Sequence, residues 1–211
     1  MNITRRSRKA VQQSQLSLLA ARGDGGNTLN ASLFVGARTL DNPLPFAIVA
    51  VDRHVAGGSL HGAFRTTRLP WPVRLGGGID AQRQVDDRLN FENCAALAIT
   101  APATTLCPRP GTERGTIRLN QQERVGGLGG YVRAEVEAPH RLFASAALRY
   151  DRVNFAVRDR FITATNLNDS GERVLSAVSP MLGISWRARP LVSVYANVST
   201  AFETPTITEL T

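Results

Sequence analysis

The chain of 211 residues is 43% hydrophobic and 6% aromatic, with a net charge of +8 and a mean hydropathy of −0.13. No window of about 20 uncharged apolar residues occurs, which excludes a membrane-spanning helix; a barrel strand needs only about 9–11 residues with every second one apolar, so mild hydropathy is compatible with strands that span. The positive charge does not select a nucleic-acid partner: Arg5, Arg6, Arg8 and Lys9 supply half of it, and aromatic residues do not interleave with the arginines as a base-stacking surface requires.

In chain order, residues 1–22 have the basic start of a signal peptide, but the apolar run 16–21 is too short and is interrupted by Ser17. A barrel strand behind a basic loop fits better, and the missing export signal predicts a fragment of a longer protein. Gln13, Gln15 and Ser17 alternate with Leu16, Leu18 and Ala20, and RGDGGN then turns the chain. The same period of two recurs further on. Leu29, Ala31, Leu33 and Val35 oppose Asn30, Ser32, Phe34 and Gly36; Leu75, Gly77, Ile79 and Ala81 oppose Arg74, Asp80 and Gln82. Val132, Ala134 and Val136 oppose Arg133, Glu135 and Glu137, and Val192, Val194, Ala196 and Val198 oppose Ser193, Tyr195 and Asn197. The pattern predicts eight strands over 10–21, 28–38, 51–66, 73–85, 119–138, 141–157, 174–187 and 191–202.

Short connections fall near 22–27, 66–72, 137–140 and 187–190. Long ones fall near 38–50, 85–118 and 158–174, with Pro43 and Pro45 arguing against strand in the first. Every long connection thus lies at one end, as in outer-membrane barrels with short periplasmic turns and long outer loops. Trp71 and Trp186 fall at the short-turn end, where interfacial aromatics sit. Arg133, Glu135, Glu137, Arg149 and Asp151 are out of place in a sandwich core and ordinary in a wet lumen. The expected fold is all-β: an antiparallel up-and-down meander forming part of a transmembrane β-barrel over residues 1–211, with a long outer loop at 86–118.

RLNQQERVGGLGGYVRAEVE (118–137), ALRYDRVNFAVRDRF (147–161), VSPMLGISW (178–186) and YANVSTAFETPTITEL (195–210) carry a family resemblance, the last with Phe202, Pro205 and Glu209-Leu210. They resemble the barrel of TonB-dependent outer-membrane receptors. The resemblance implies a bacterial outer-membrane location, contact with membrane lipid, import of a ferric siderophore or similarly scarce ligand, and coupling to the TonB system through a plug region. Complete members place a plug ahead of about 22 strands; no plug pattern occurs here, which predicts roughly the first third to half of a barrel. A passive porin-like barrel and a soluble all-β binding module are the alternative readings.

Anionic ferric ligands make Arg83, Arg88, Arg109, Arg114 and Arg158 the candidate contacts by charge, against pairing with lumen carboxylates. Cys94 and Cys107 lie in the long loop; on an oxidising outer face they pair as a disulfide, the alternative being two buried free thiols. GGG (76–78) and GGLGG (126–130) are followed by strand-patterned residues, not a helix start, so they read as close-approach points rather than phosphate loops. His54, His61 and His140 are dispersed, and Asp80, Asp86 and Asp87 read as solvated rim carboxylates. No catalytic constellation, metal site or cofactor motif is expected, and no enzyme.

Overall fold

The computed structural model describes residues 4, 6–98 and 100–206; Glu209 and Leu210 lie outside them. The fold is one eight-stranded antiparallel sheet in strict sequence order, an open partial barrel. Its strands are β1 (Ala10–Asp24), β2 (Asn27–Pro43), β3 (Ala47–Thr66), β4 (Val73–Asn93), β5 (Arg114–Ala138), β6 (Leu142–Asp159), β7 (Gly171–Arg189) and β8 (Val192–Ser199).

β2 to β7 run further at the long-loop end than their alternation predicts, β1 instead gains three residues at its hairpin end, and β8 stops at Ser199, short of the expected 202. β2 continues to Pro43 and β3 starts at Ala47, so the expected long connection 38–50 is a tight turn around Pro45. β4 continues to Asn93 and β5 starts at Arg114, which shortens the expected loop 86–118 to 94–113. Both prolines stand where no ladder N–H is needed, one closing a strand and one in the turn. The loop asymmetry rests on 94–113 and 160–170, against Gly25–Gly26, 67–72, Pro139–Arg141 and 190–191 at the other end. Gly25 and Gly26 both take positive φ, 54° and 94°, as a two-residue hairpin twisted with its strands requires.

The pairing register separates the two faces, with shifts around Phe91 and between Trp186 and Arg189 near the strand ends. Leu16, Val35 and Ala56 form one outer row; Ala31, Leu60, Ile79, Gly130, Tyr150 and Val178 form another. Outer residues stay open, with Leu33 62%, Val132 64% and Leu182 58% exposed, whereas Asp86, Gln121, Glu123 and Phe155 on the other face are buried. Side chains crowd on a concave surface and splay on a convex one, so the polar face is the inside.

The apolar band slides steadily across the strands. It centres on Leu18 in β1 and on Leu182 in β7, yet the ladder from Leu18 reaches β7 at Ser176, six residues away. Six residues at about 3.3 Å, over six strand spacings of about 4.8 Å, mean a tilt of about 35° for a level band. That lies at the edge of the roughly 35–45° of closed membrane barrels.

Candidate functional site

The inner face carries a lattice of paired charges, built by the alternation that sends every second residue inward. In the upper part the Arg53 guanidinium grips Asp86 in a fork, Nε to Oδ1 at 2.9 Å and Nη2 to Oδ2 at 2.6 Å, and Gln84 donates to the same carboxylate at 3.0 Å. One ladder step away, Glu123 accepts from Gln121 at 2.6 Å and Arg88 at 3.3 Å. Lower down, Arg149 bonds Asp80 at 2.9 and 3.1 Å and Asp151 at 2.7–3.0 Å, tying β4 to β6 across β5. Arg133 pairs with Glu135, and Arg65 reaches Glu137 at 3.6 Å.

Glycines make this lattice possible. A Cβ at Gly129 would run into the Arg149 guanidinium and stand 2.8 Å from Asp80 Oδ2. One at Gly78 would collide with His61 Nδ1 and lie 2.9 Å from the Leu60 carbonyl and from the Tyr131 ring. The two ring residues close over that glycine, with the Tyr131 hydroxyl 3.2 Å from His61 Nδ1. Both glycine runs therefore stand as strand residues over which long side chains cross.

At the long-loop end a second construction organises residues 94–113. Cys94 and Cys107 are bonded, with Cα atoms 5.8 Å apart, and are 0% and 6% exposed. The buried Asn93 donates to the Leu44 carbonyl at 2.8 Å, and Arg118 donates to that of Phe46 at 3.0 Å, so the β2–β3 turn leans on the ends of β4 and β5 that carry this loop. Arg8 donates to both Glu113 oxygens at 2.7 and 2.9 Å and to Asp41 at 3.0 Å, while Arg114 also reaches Asp41 at 3.0 Å. The hydrogen bonds from Arg8 hold the Glu113 carboxyl below the ordinary glutamate range, against a smaller opposing effect of burial.

A lowered carboxyl pKa stabilises the fold above the ordinary value and ceases to do so as pH falls through the lowered one. Amide protection in 94–113, corrected for intrinsic exchange, is therefore expected to drop on acidification below about pH 4, and Arg8→Ala should shrink that step to what the weaker attraction of Arg6 and Arg114 sustains. Reduction should cut protection at any pH, because closing a loop of this size removes on the order of 3 kcal/mol of chain entropy. Protection unchanged by both treatments would show that neither tie orders the loop.

The five candidate arginines separate. Arg88 faces inward and is engaged by Glu123. Arg114 opens β5, pairs with Asp41 and lies over the Phe91 ring at 4.9 Å. Arg109 projects from the loop without a carboxylate partner among the described residues. Arg83 is in the row of Val35, Ala56, Gly126 and Asn154, on the outer face, and Arg158 shares that face through its pairing with Gln122. Neither points into the lumen, because both have the parity of Ile79 and Tyr150. Charge alone also misses Arg38 and Arg173, which face inward with no carboxylate in ion-pair range among the described residues. Asp80, Asp86 and Asp87 each hold an arginine, the last Arg160 at 2.9 Å.

The structure resembles two solved receptors. Against the ferric citrate transporter FecA in its unliganded form the TM-score is 0.72 at 12% identity, covering 92% of this chain and 28% of that one. Against the siderophore receptor PiuA from Acinetobacter baumannii it is 0.72 at 11%, covering 92% and 32%. The chain thus spans about a third of the length of each, and at such identity the likeness establishes the fold. The family model described as TonB dependent receptor-like, beta-barrel matches residues 6–211. With nearly the whole sequence matched, and a tilted meander that is apolar outside and ion-paired inside, the chain belongs to the TonB-dependent receptor β-barrel family.

Proposed function

We propose that residues 1–211 form part of the barrel domain of an outer-membrane receptor that imports a ferric siderophore, or a similarly scarce anionic complex, driven by the TonB system through its plug region. The family match over 6–211 carries this reading. That the two structural relatives are a ferric citrate transporter and a siderophore receptor supports the ligand class. The inner face supports it chemically: Arg38 and Arg173 line the lumen with guanidinium groups that no carboxylate among the described residues holds, and Arg109 presents another from the loop. A guanidinium not already held by a carboxylate can take a carboxylate or catecholate oxygen of a ligand in a bidentate contact. Arg88 and Arg114, held by Glu123 and Asp41, shape the path instead.

The test is binding of a ferric siderophore to the whole receptor that carries this segment. Replacing Arg38, Arg109 and Arg173 together by Gln should weaken binding by about ten- to a hundredfold, the effect of losing one or two charge-assisted contacts. Uptake by the unaltered receptor should stop when the proton-motive force is collapsed. Unchanged affinity would take the three arginines out of the ligand path, and uptake that survives collapse would argue for a passive pore.

A further inference from the structure

Three outward arginines stand just beyond the apolar band, around a bare glycine. Arg83 on β4 pairs across to Gly126 on β5, which pairs to Asn154 on β6. Arg124 is two residues from Gly126 along β5, and Arg152 is two residues from Asn154 along β6, on the same outer face. All three arginines and Asn154 are exposed, and a Cβ added at Gly126 would meet nothing within 4 Å. Among the described residues none of the three has a carboxylate in ion-pair range, and Arg124 donates to Gln122 at 2.5 Å. The nearest outer carboxylate along β4, Asp87, is already held by Arg160 and Gln122.

Their height is set by the slant of the band. Its centre falls between Gly77 and Ile79 on β4 and near Ala146 on β6, placing Arg83 and Arg152 about 13–16 Å above the middle at a tilt of about 35°. A hydrocarbon layer of about 30 Å ends at that level, and the phosphate-bearing headgroups begin there. Arg124 stands further out on the same side, about a headgroup's depth higher.

Uncompensated guanidinium groups at the hydrocarbon edge need an anion, and the open floor at Gly126 leaves room for one between them. Planar guanidinium forks match phosphate oxygens two at a time. We propose that Arg83, Arg124 and Arg152, with Asn154 and the gap over Gly126, form a site for the phosphate of a lipid headgroup in the leaflet at the long-loop end. The site lies outside the ligand path. It rests on the membrane-embedded reading of the barrel, and on no part of the ligand assignment.

The test uses the whole receptor in phosphatidylcholine nanodiscs doped with a diphosphorylated glycolipid, or with the same glycolipid after phosphatase treatment, and native mass spectrometry to count retained glycolipid. Incorporation into the discs reports the membrane reading separately. The unaltered receptor should retain the phosphorylated form and not the dephosphorylated one. Arg83→Gln with Arg124→Gln and Arg152→Gln should weaken retention by about fivefold per arginine, on the order of a hundredfold together. Should the triple variant not assemble, Arg83→Gln and Arg152→Gln singly should each show the fivefold loss. Equal retention by receptor and variants, or no preference for the phosphorylated glycolipid, would overturn the site.

Discussion

Replacing Arg53 by Met in the whole receptor is expected to cost about 2–3 kcal/mol in equilibrium urea unfolding from lipid vesicles. Its partner Asp86 is 2% exposed, so the change leaves a carboxylate shut in the wall with only the Gln84 amide to answer it. Breaking a buried pair typically costs about 3–5 kcal/mol, and the arginine side chain here is 35% exposed, which lowers that figure. Two comparisons isolate the cause. The double change Arg53→Met with Asp86→Leu should return to within about 1 kcal/mol of the unaltered receptor, since both charges then leave together. Arg65→Met should cost less than about 1 kcal/mol, because the Arg65 and Glu137 side chains are 51% and 52% exposed. Equal losses at Arg53 and Arg65 would mean that depth in the wall does not govern these pairs.

Gly78→Leu is expected to be comparably damaging, at about 2–3 kcal/mol, the cost of forcing atoms into a filled space. The new side chain meets the Leu60 carbonyl, which the ladder fixes, and forces apart the His61–Tyr131 contact that links β3 to β5. The readout is the fraction of receptor that stays folded in unheated detergent gels, together with the urea midpoint. Gly126→Ala supplies the contrast, since its added Cβ enters open space and should change either readout by less than about 0.5 kcal/mol. A Gly78 variant as stable as the Gly126 variant would refute the close-approach role of the first glycine run.

How much of this was legible in the sequence depended on what each face touches. Where one face meets hydrocarbon, as at Leu75, Ile79, Val132 and Val194, alternation alone located the strand and its orientation. Above the band both faces are wet, so 86–93 and 114–118 lose their two-residue signature while their ladder continues, interrupted by register shifts around Phe91. The strand ends were therefore hidden, although the strands were not. The outward direction of Arg83 was within reach, because Asp80 and Gln82 already marked the opposite parity. The clasp of Arg8 on Glu113 was not, since the partners are 105 residues apart and no local pattern links them. The inward pairs Arg53–Asp86 and Arg149–Asp80 needed the register, which turn lengths fix and composition does not.

The reach of β5 has a mechanical consequence. Its 25 residues begin at Arg114, eighteen positions before the level of Val132 at the centre of the band. At about 3.3 Å per residue and a tilt of about 35°, Arg114 and the tethered loop stand on the order of 35 Å clear of the hydrocarbon. A lever of that length, built only of hydrogen-bonded ribbon, bends at its free end unless something braces it. The disulfide and the Arg8 clasp are cross-struts at the top of a tall, thin mast, and stiffness there decides whether an arriving solute meets a formed mouth or a swaying one.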